Sequence, residues 1–77
     1  MTQPLVRCHE EAEVAVITLD SPHNRNALSR QLLEELHAAL TEAGADEAHS
    51  AILLRSSQRV FCAGADLKEA ASVDMVE

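Results

Sequence analysis

The sequence has no cluster of basic side chains. Six Lys and Arg stand against thirteen Asp and Glu, for a formal charge of −7. A surface of that sign repels phosphate backbones, so a nucleic-acid partner is not expected. Apolar runs stop at about six residues, whereas a bilayer-spanning helix needs about 20. The stretch from Met1 to Glu13 is acidic where a secretion leader is basic and then apolar. These absences predict a soluble, cytoplasmic protein with no membrane partner. Cysteine is also scarce: Cys8 and Cys62 lie far apart, without metal-ligand spacing to each other or to His9, His23, His37 and His49. Neither a disulfide nor a zinc site is supported, and no metal is expected. Internal repeats and low-complexity tracts are absent too.

Ala occurs thirteen times among the apolar residues, which leaves 21 large apolar side chains in 77 residues. A second complete domain is ruled out. A lone core of this size rarely supplies more than about 3–5 kcal/mol, so the chain is expected to lean on something else. That modest core, and an expected final helix running to Glu77 without a stop signal, predict the incomplete front portion of a longer protein over residues 1–77.

Val14-Ala15-Val16-Ile17-Thr18-Leu19 is an almost unbroken apolar, β-branched run, read as a strand buried on both faces. A weaker edge strand, Leu5 to Glu10, precedes it as the other arm of a hairpin. Asp20 to Asn26 is rich in turn formers and contains Pro22, which makes it a loop. Leu32, Leu33, Leu36, Ala39, Leu40 and Ala43 then recur at helical spacing, with Ser29 as N-cap and Gly44 as the stop. After an acidic linker, Ala51 to Ser56 reads as a second buried strand. The order is that of a βαβ unit, so the two strands are expected to run parallel through a crossover helix.

Phe61-Cys62-Ala63-Gly64-Ala65-Asp66-Leu67-Lys68-Glu69 carries the strongest chemical signal. A glycine flanked by alanines at a helix start lets backbone N–H groups face a ligand unobstructed, and such a place attracts negative charge. The plainer reading is an ordinary helix entry, with Gly64 relieving crowding while Asp66 and Glu69 form a capping box. A dinucleotide site is disfavoured because the first strand-to-helix loop has no glycine. Ser29 has no visible His-Asp arrangement and is assigned to capping. Cys62 is assigned to packing. Glu34, Glu35 and Glu42 are placed on the solvent face of the helix, where nothing shifts their pKa toward catalysis.

Asn26-Ala27-Leu28-Ser29 after the Pro22 loop, the amphipathic helix, the apolar strand and the Phe61–Glu69 segment together resemble the N-terminal part of the crotonase family, the enoyl-CoA hydratases and isomerases. The likeness runs from about residue 14 to residue 70. It implies an α/β fold with a ββαβ N-terminal portion: hairpin, crossover helix, parallel strand and terminal helix. It further implies that the Ala65 N–H, beside Gly64, is one donor of an oxyanion hole for a coenzyme A thioester, and that Ala63 and Leu67 offer backbone contacts to the adenine end. Asp66 and Lys68 would lie along the same segment, Arg25 near the coenzyme phosphates and Ala27 beside the pantetheine path. The substrate would be an acyl-CoA, with no separate cofactor, and the full-length protein would be a homo-oligomer acting in fatty acid metabolism.

Two departures stand out. Ser56-Ser57-Gln58-Arg59 fills the place of a Gly-rich turn, and the family's catalytic glutamates would lie beyond this sequence. A non-catalytic remnant that binds acyl-CoA weakly, or packs against a partner subunit, therefore stands as the alternative.

Overall fold

The computed structural model describes residues 3–68. Strand β1 (Val6–Glu11) and strand β2 (Val14–Leu19) form an antiparallel hairpin, from Val6 opposite Leu19 to Glu11 opposite Val14. The reversal takes only Ala12 and Glu13, with Ala12 at φ 56°. Helix α1 (Arg30–Ala45) crosses to strand β3 (Ala51–Ser56), which pairs parallel to β2 with Val14 beside Ala51 and Leu19 beside Ser56. The sheet order is β1-β2-β3, so β2 is central. The ββαβ order and the parallel crossover strand are those expected.

The β-branched run of β2 occupies the centre because it is buried on both faces. Ala15, Val16 and Ile17 are consecutive in the strand and all inaccessible. Leu19 packs with Leu5 and Leu32, while Ala15 and Ile17 pack with Ala43, so α1 covers one face of the sheet. Ser29 caps α1 as expected, its hydroxyl accepting the Leu32 N–H at 3.2 Å.

Three expectations fail. Gly44 does not stop the helix: α1 runs through it to Ala45, and Asp46 is the C-cap, its N–H directed at Ala43 O at 3.4 Å. Ala45 is a strong helix former, and a mid-helix glycine costs only about 1 kcal/mol. Strand β3 is not buried, since Ile52 and Leu53 are 41% and 46% exposed. Only Leu54 of β3 packs into both core clusters, because α1 lies against one face of the sheet. Leu33 and Leu40 of the helical repeat are likewise exposed.

The third failure is Glu35, expected on the solvent face. It is half-buried, and its carboxylate accepts the Leu5 and Val6 N–H groups at 2.7 and 3.0 Å and Gln31 Nε2 at 2.7 Å. It clamps the start of β1 to α1. Burial pushes the Glu35 carboxyl up, but the hydrogen bonds from Gln31, Leu5 and Val6 outweigh it and hold the group below the usual range. A carboxyl depressed in the folded state stabilises fully above its unfolded value, and that contribution disappears as pH falls through the folded value. Glu35→Gln should therefore lower stability by about 1 kcal/mol at pH 7. The two proteins should converge as pH drops below about 4. Urea melts over that pH range test this, and a constant gap at every pH would contradict it.

Candidate functional site

The site lies where the loop after β2 meets the segment leading to Asp66. Pro22–Asn24 form one 3-10 turn, and Arg25 and Asn26 follow with φ of 55° and 59°. Two successive left-handed residues reverse the chain sharply. Asn tolerates that region, whereas Arg adopts it at a cost. The reversal turns the Arg25 carbonyl and the Leu28 N–H toward the second segment. Arg25 O accepts the Ala63 N–H at 3.1 Å, and Leu28 N–H donates to Gly64 O at 2.7 Å. Leu28 and Ala65 thereby form an isolated parallel bridge.

Asn26 locks the junction from inside. Its side chain is fully buried; Oδ1 accepts the Ser21 N–H at 2.7 Å, and Nδ2 donates to Ser56 Oγ at 2.7 Å and to Phe61 O at 3.1 Å. One amide thus joins the first loop, the end of β3 and the second segment. Sequence reasoning used Asn26 as part of a motif but gave it no role. An Asn within a turn-rich loop, immediately before an apolar Ala-Leu pair, was the available signal. The glycine-free turn is closed by hydroxyls instead: Ser56 Oγ accepts Gln58 N–H and donates to Val60 O, each at 2.8 Å. Ser57 Oγ donates to Asp20 Oδ1 at 2.7 Å.

The orientation of the Ala65 N–H follows from covalent geometry. In a trans peptide the C=O and N–H of one plane point in opposite directions, and no cis bond is present. Because Gly64 O is held by Leu28, the N–H of Ala65 points away from the first loop. It has no acceptor among the described residues. Gly64 itself sits at φ +94°, a conformation that side chains rarely adopt, although a Cβ there would meet nothing within 4 Å. Backbone angle alone calls for glycine here. Its N–H is directed at Cys62 Sγ at 3.4 Å, which gives that half-buried cysteine a local structural role.

Asp66 behaves as an N-cap. Its Oδ1 accepts the Lys68 N–H at 3.0 Å and its Oδ2 accepts Asn24 Nδ2 at 3.1 Å. Leu67 and Lys68 are already helical, while Glu69 and the remainder of the expected terminal helix lie outside the described residues.

Arg25, Ala27, Ala63, Ala65, Asp66, Leu67 and Lys68 all line one open cleft of ≈ 690 Å³, together with His23 and Asn24. Of the expected site residues only Gly64 is not in its wall, lying behind as the turn that aims Ala65. Ala63 enters with its N–H already committed to Arg25, which leaves its carbonyl. The cleft reverses the sign of the molecule. Arg25 and Lys68 are exposed, and their side-chain cations make no hydrogen bond or ion pair among the described residues. Asp66, the one carboxylate here, is already engaged. The cleft therefore offers, among the described residues, an unpaired N–H at a helix entry beside two unpaired cations, a combination suited to an anionic ligand with a polarisable oxygen.

Comparison with known proteins identifies the family and the fold. The family Enoyl-CoA hydratase/isomerase matches residues 9–76. A probable enoyl-CoA hydratase of Rhizobium meliloti is 45% identical over 67 residues, covering 87% of this chain and 26% of that protein. The crystal structure of enoyl-CoA hydratase from Mycobacterium tuberculosis H37Rv superposes with a TM-score of 0.84 at 38% identity, over 91% of this chain and 32% of the other. The enoyl-CoA hydratase structure from Thermoplasma volcanium GSS1 gives 0.83 at 26% identity, over 94% and 29%. The chain spans about a quarter to a third of the length of these relatives. With the family matched over nearly its whole length and the same fold formed, the chain belongs to the enoyl-CoA hydratase/isomerase family.

Proposed function

We propose that this chain is the acyl-CoA-binding front of an enoyl-CoA hydratase or isomerase, in which the Ala65 N–H donates to the thioester oxygen. The observation that carries this reading is the Ala65 amide, which lines the cleft with no acceptor among the described residues, beside the exposed cations Arg25 and Lys68. As the substrate's double bond gains water, charge accumulates on the thioester oxygen, and a fixed N–H stabilises it without reorganising. Arg25 and Lys68 hold the coenzyme phosphates, the Ala63 carbonyl and the exposed Leu67 receive the adenine end, and Ala27 lines the pantetheine path. Asp66 shapes the segment by capping rather than by touching the ligand.

No described carboxylate is placed to move the protons: Glu35 is committed to β1 and Asp66 to its cap. General acid and base are therefore supplied from outside these residues, in an oligomeric full-length assembly. Two assays separate an enzyme from a chain that only binds. Crotonyl-CoA hydration by the full-length protein that Gly64→Pro abolishes supports catalysis, whereas inactivity of the full-length protein with coenzyme A binding retained supports the non-catalytic alternative.

Binding itself is tested by calorimetric titration with coenzyme A. Arg25→Ala and Lys68→Ala should each weaken it by about fivefold, an exposed ion pair's worth of about 1 kcal/mol. Raising the ionic strength should shrink both losses. Unchanged affinity in both variants would remove the phosphate assignment.

A further inference from the structure

The other end of α1 carries a second constellation, unconnected with the cleft. Its 16 residues separate the two places by about 24 Å at 1.5 Å per residue. There the His49 imidazole, with only 11% of its side chain exposed, stands between Glu10 of β1 and Asp46 at the helix C-cap.

We propose that His49 Nε2 and carboxylate oxygens of Glu10 and Asp46 form a site for a divalent transition-metal ion, with zinc as the best-matched metal. The three ligand atoms lie within 4.8 Å of one another, and Nε2 is 4.0 Å from Asp46 Oδ2 and hydrogen-bonded to Glu10 Oε2. His49 Nδ1 is 3.2 Å from the Ala43 carbonyl. A carbonyl only accepts, so Nδ1 carries the hydrogen; protonated, the ring donates from Nε2 to Glu10, and neutral, it turns its Nε2 lone pair to the carboxylates. Acceptors facing one another need a positive occupant, either a second proton or a metal ion.

Three observations suit a metal ion in that place. A carbonyl fixing the distal nitrogen is the usual outer-shell partner of a metal-bound histidine. The C-terminus of α1 adds its own negative partial charge, and Glu42 lines the same cavity, so the field there is strongly negative. Among the described residues no Lys or Arg pairs with Glu10 or Asp46 to neutralise it. Imidazole with two carboxylates is a donor set for zinc and its neighbours rather than for calcium or magnesium, which take oxygen alone. Metal-bound ligand atoms sit about 3–4 Å apart, given bond lengths near 2.0–2.2 Å. The exposed Asp46 side chain need only close slightly on the ring, while Glu10, now hydrogen-bonded to Nε2, draws back to admit the ion. Sequence spacing was blind to this site because Glu10 and His49 are 39 residues apart and meet only through the sheet.

The test is a titration of the chain with zinc chloride in a non-chelating buffer at neutral pH, followed by calorimetry and by NMR of the imidazole nitrogens. One zinc per chain is expected, moving the His49 Nε2 resonance while Nδ1 keeps its protonated signature. His49→Ala should weaken binding by about 100-fold, and Asp46→Asn and Glu10→Gln by about tenfold each. The Cys8→Ser, His9→Ala double variant should bind as the parent does. Should His49→Ala fail to fold, the exposed Asp46→Asn variant and the parent's Nε2 resonance decide alone. The proposal is overturned by absent stoichiometric binding, which would leave the imidazolium–Glu10 pair as the whole account. Binding that survives removal of these ligands, or vanishes with Cys8, overturns it equally.

Discussion

Asn26→Ala is expected to destabilise the chain by about 3–4 kcal/mol, from an orphaned buried donor and a left-handed backbone that alanine resists. The Ser21 N–H loses its acceptor in a fully buried place, and Phe61 O and Ser56 Oγ lose a donor. A lone core of this size rarely supplies more than about 3–5 kcal/mol, so a loss of that order is close to unfolding. Asn26→Gly removes the same hydrogen bonds while keeping φ 59° accessible, so it should lose about 1 kcal/mol less than the alanine variant. Urea denaturation of the three proteins measures both differences. Equal midpoints for parent and Asn26→Ala would show that the amide is not the tie between the two loops.

Ala65→Pro should have the largest effect on chemistry. It deletes a donor that the fold does not use, since the bridge to Leu28 runs through Gly64 O. It also places proline after a glycine, the residue best able to accept the restriction on its neighbour. Removing one oxyanion donor typically lowers turnover by about 10²–10³-fold. The carbonyl stretch of bound crotonyl-CoA should move to lower frequency in the parent and stay nearer its free value in the variant. A parent stretch that does not move on binding would sink the assignment of Ala65, whatever the turnover.

The sequence was most readable where one residue pattern has one physical outcome. Six β-branched and apolar residues in a row from Val14 become the central strand because only that position is covered on both faces. Ser29 before a helical repeat becomes an N-cap because its hydroxyl reaches an otherwise unpaired amide. Reading failed where the outcome depends on what lies opposite. Nothing local tells Glu35 that two strand amides will arrive beside it, or tells Ile52 and Leu53 that α1 covers the other face. Gly44 misled because a terminator was inferred from one residue, while Ala45 beyond it still prefers the helix. The cleft was legible as a segment, Ala63 to Lys68, together with Arg25 and Ala27. The means of aiming it, through Asn26 and the Leu28–Gly64 hydrogen bond, depends on pairing across more than thirty residues.

The planar link between Gly64 and Ala65 also bears on how sequences of this kind tolerate change. Since the donor's heading is inherited from the carbonyl on the other side of the same rigid unit, whatever grows from the Cα of residue 65 has no vote in it. Substitutions there are free to tune the shape of the wall, whereas a side chain at position 64, where φ is +94°, swings the amide itself.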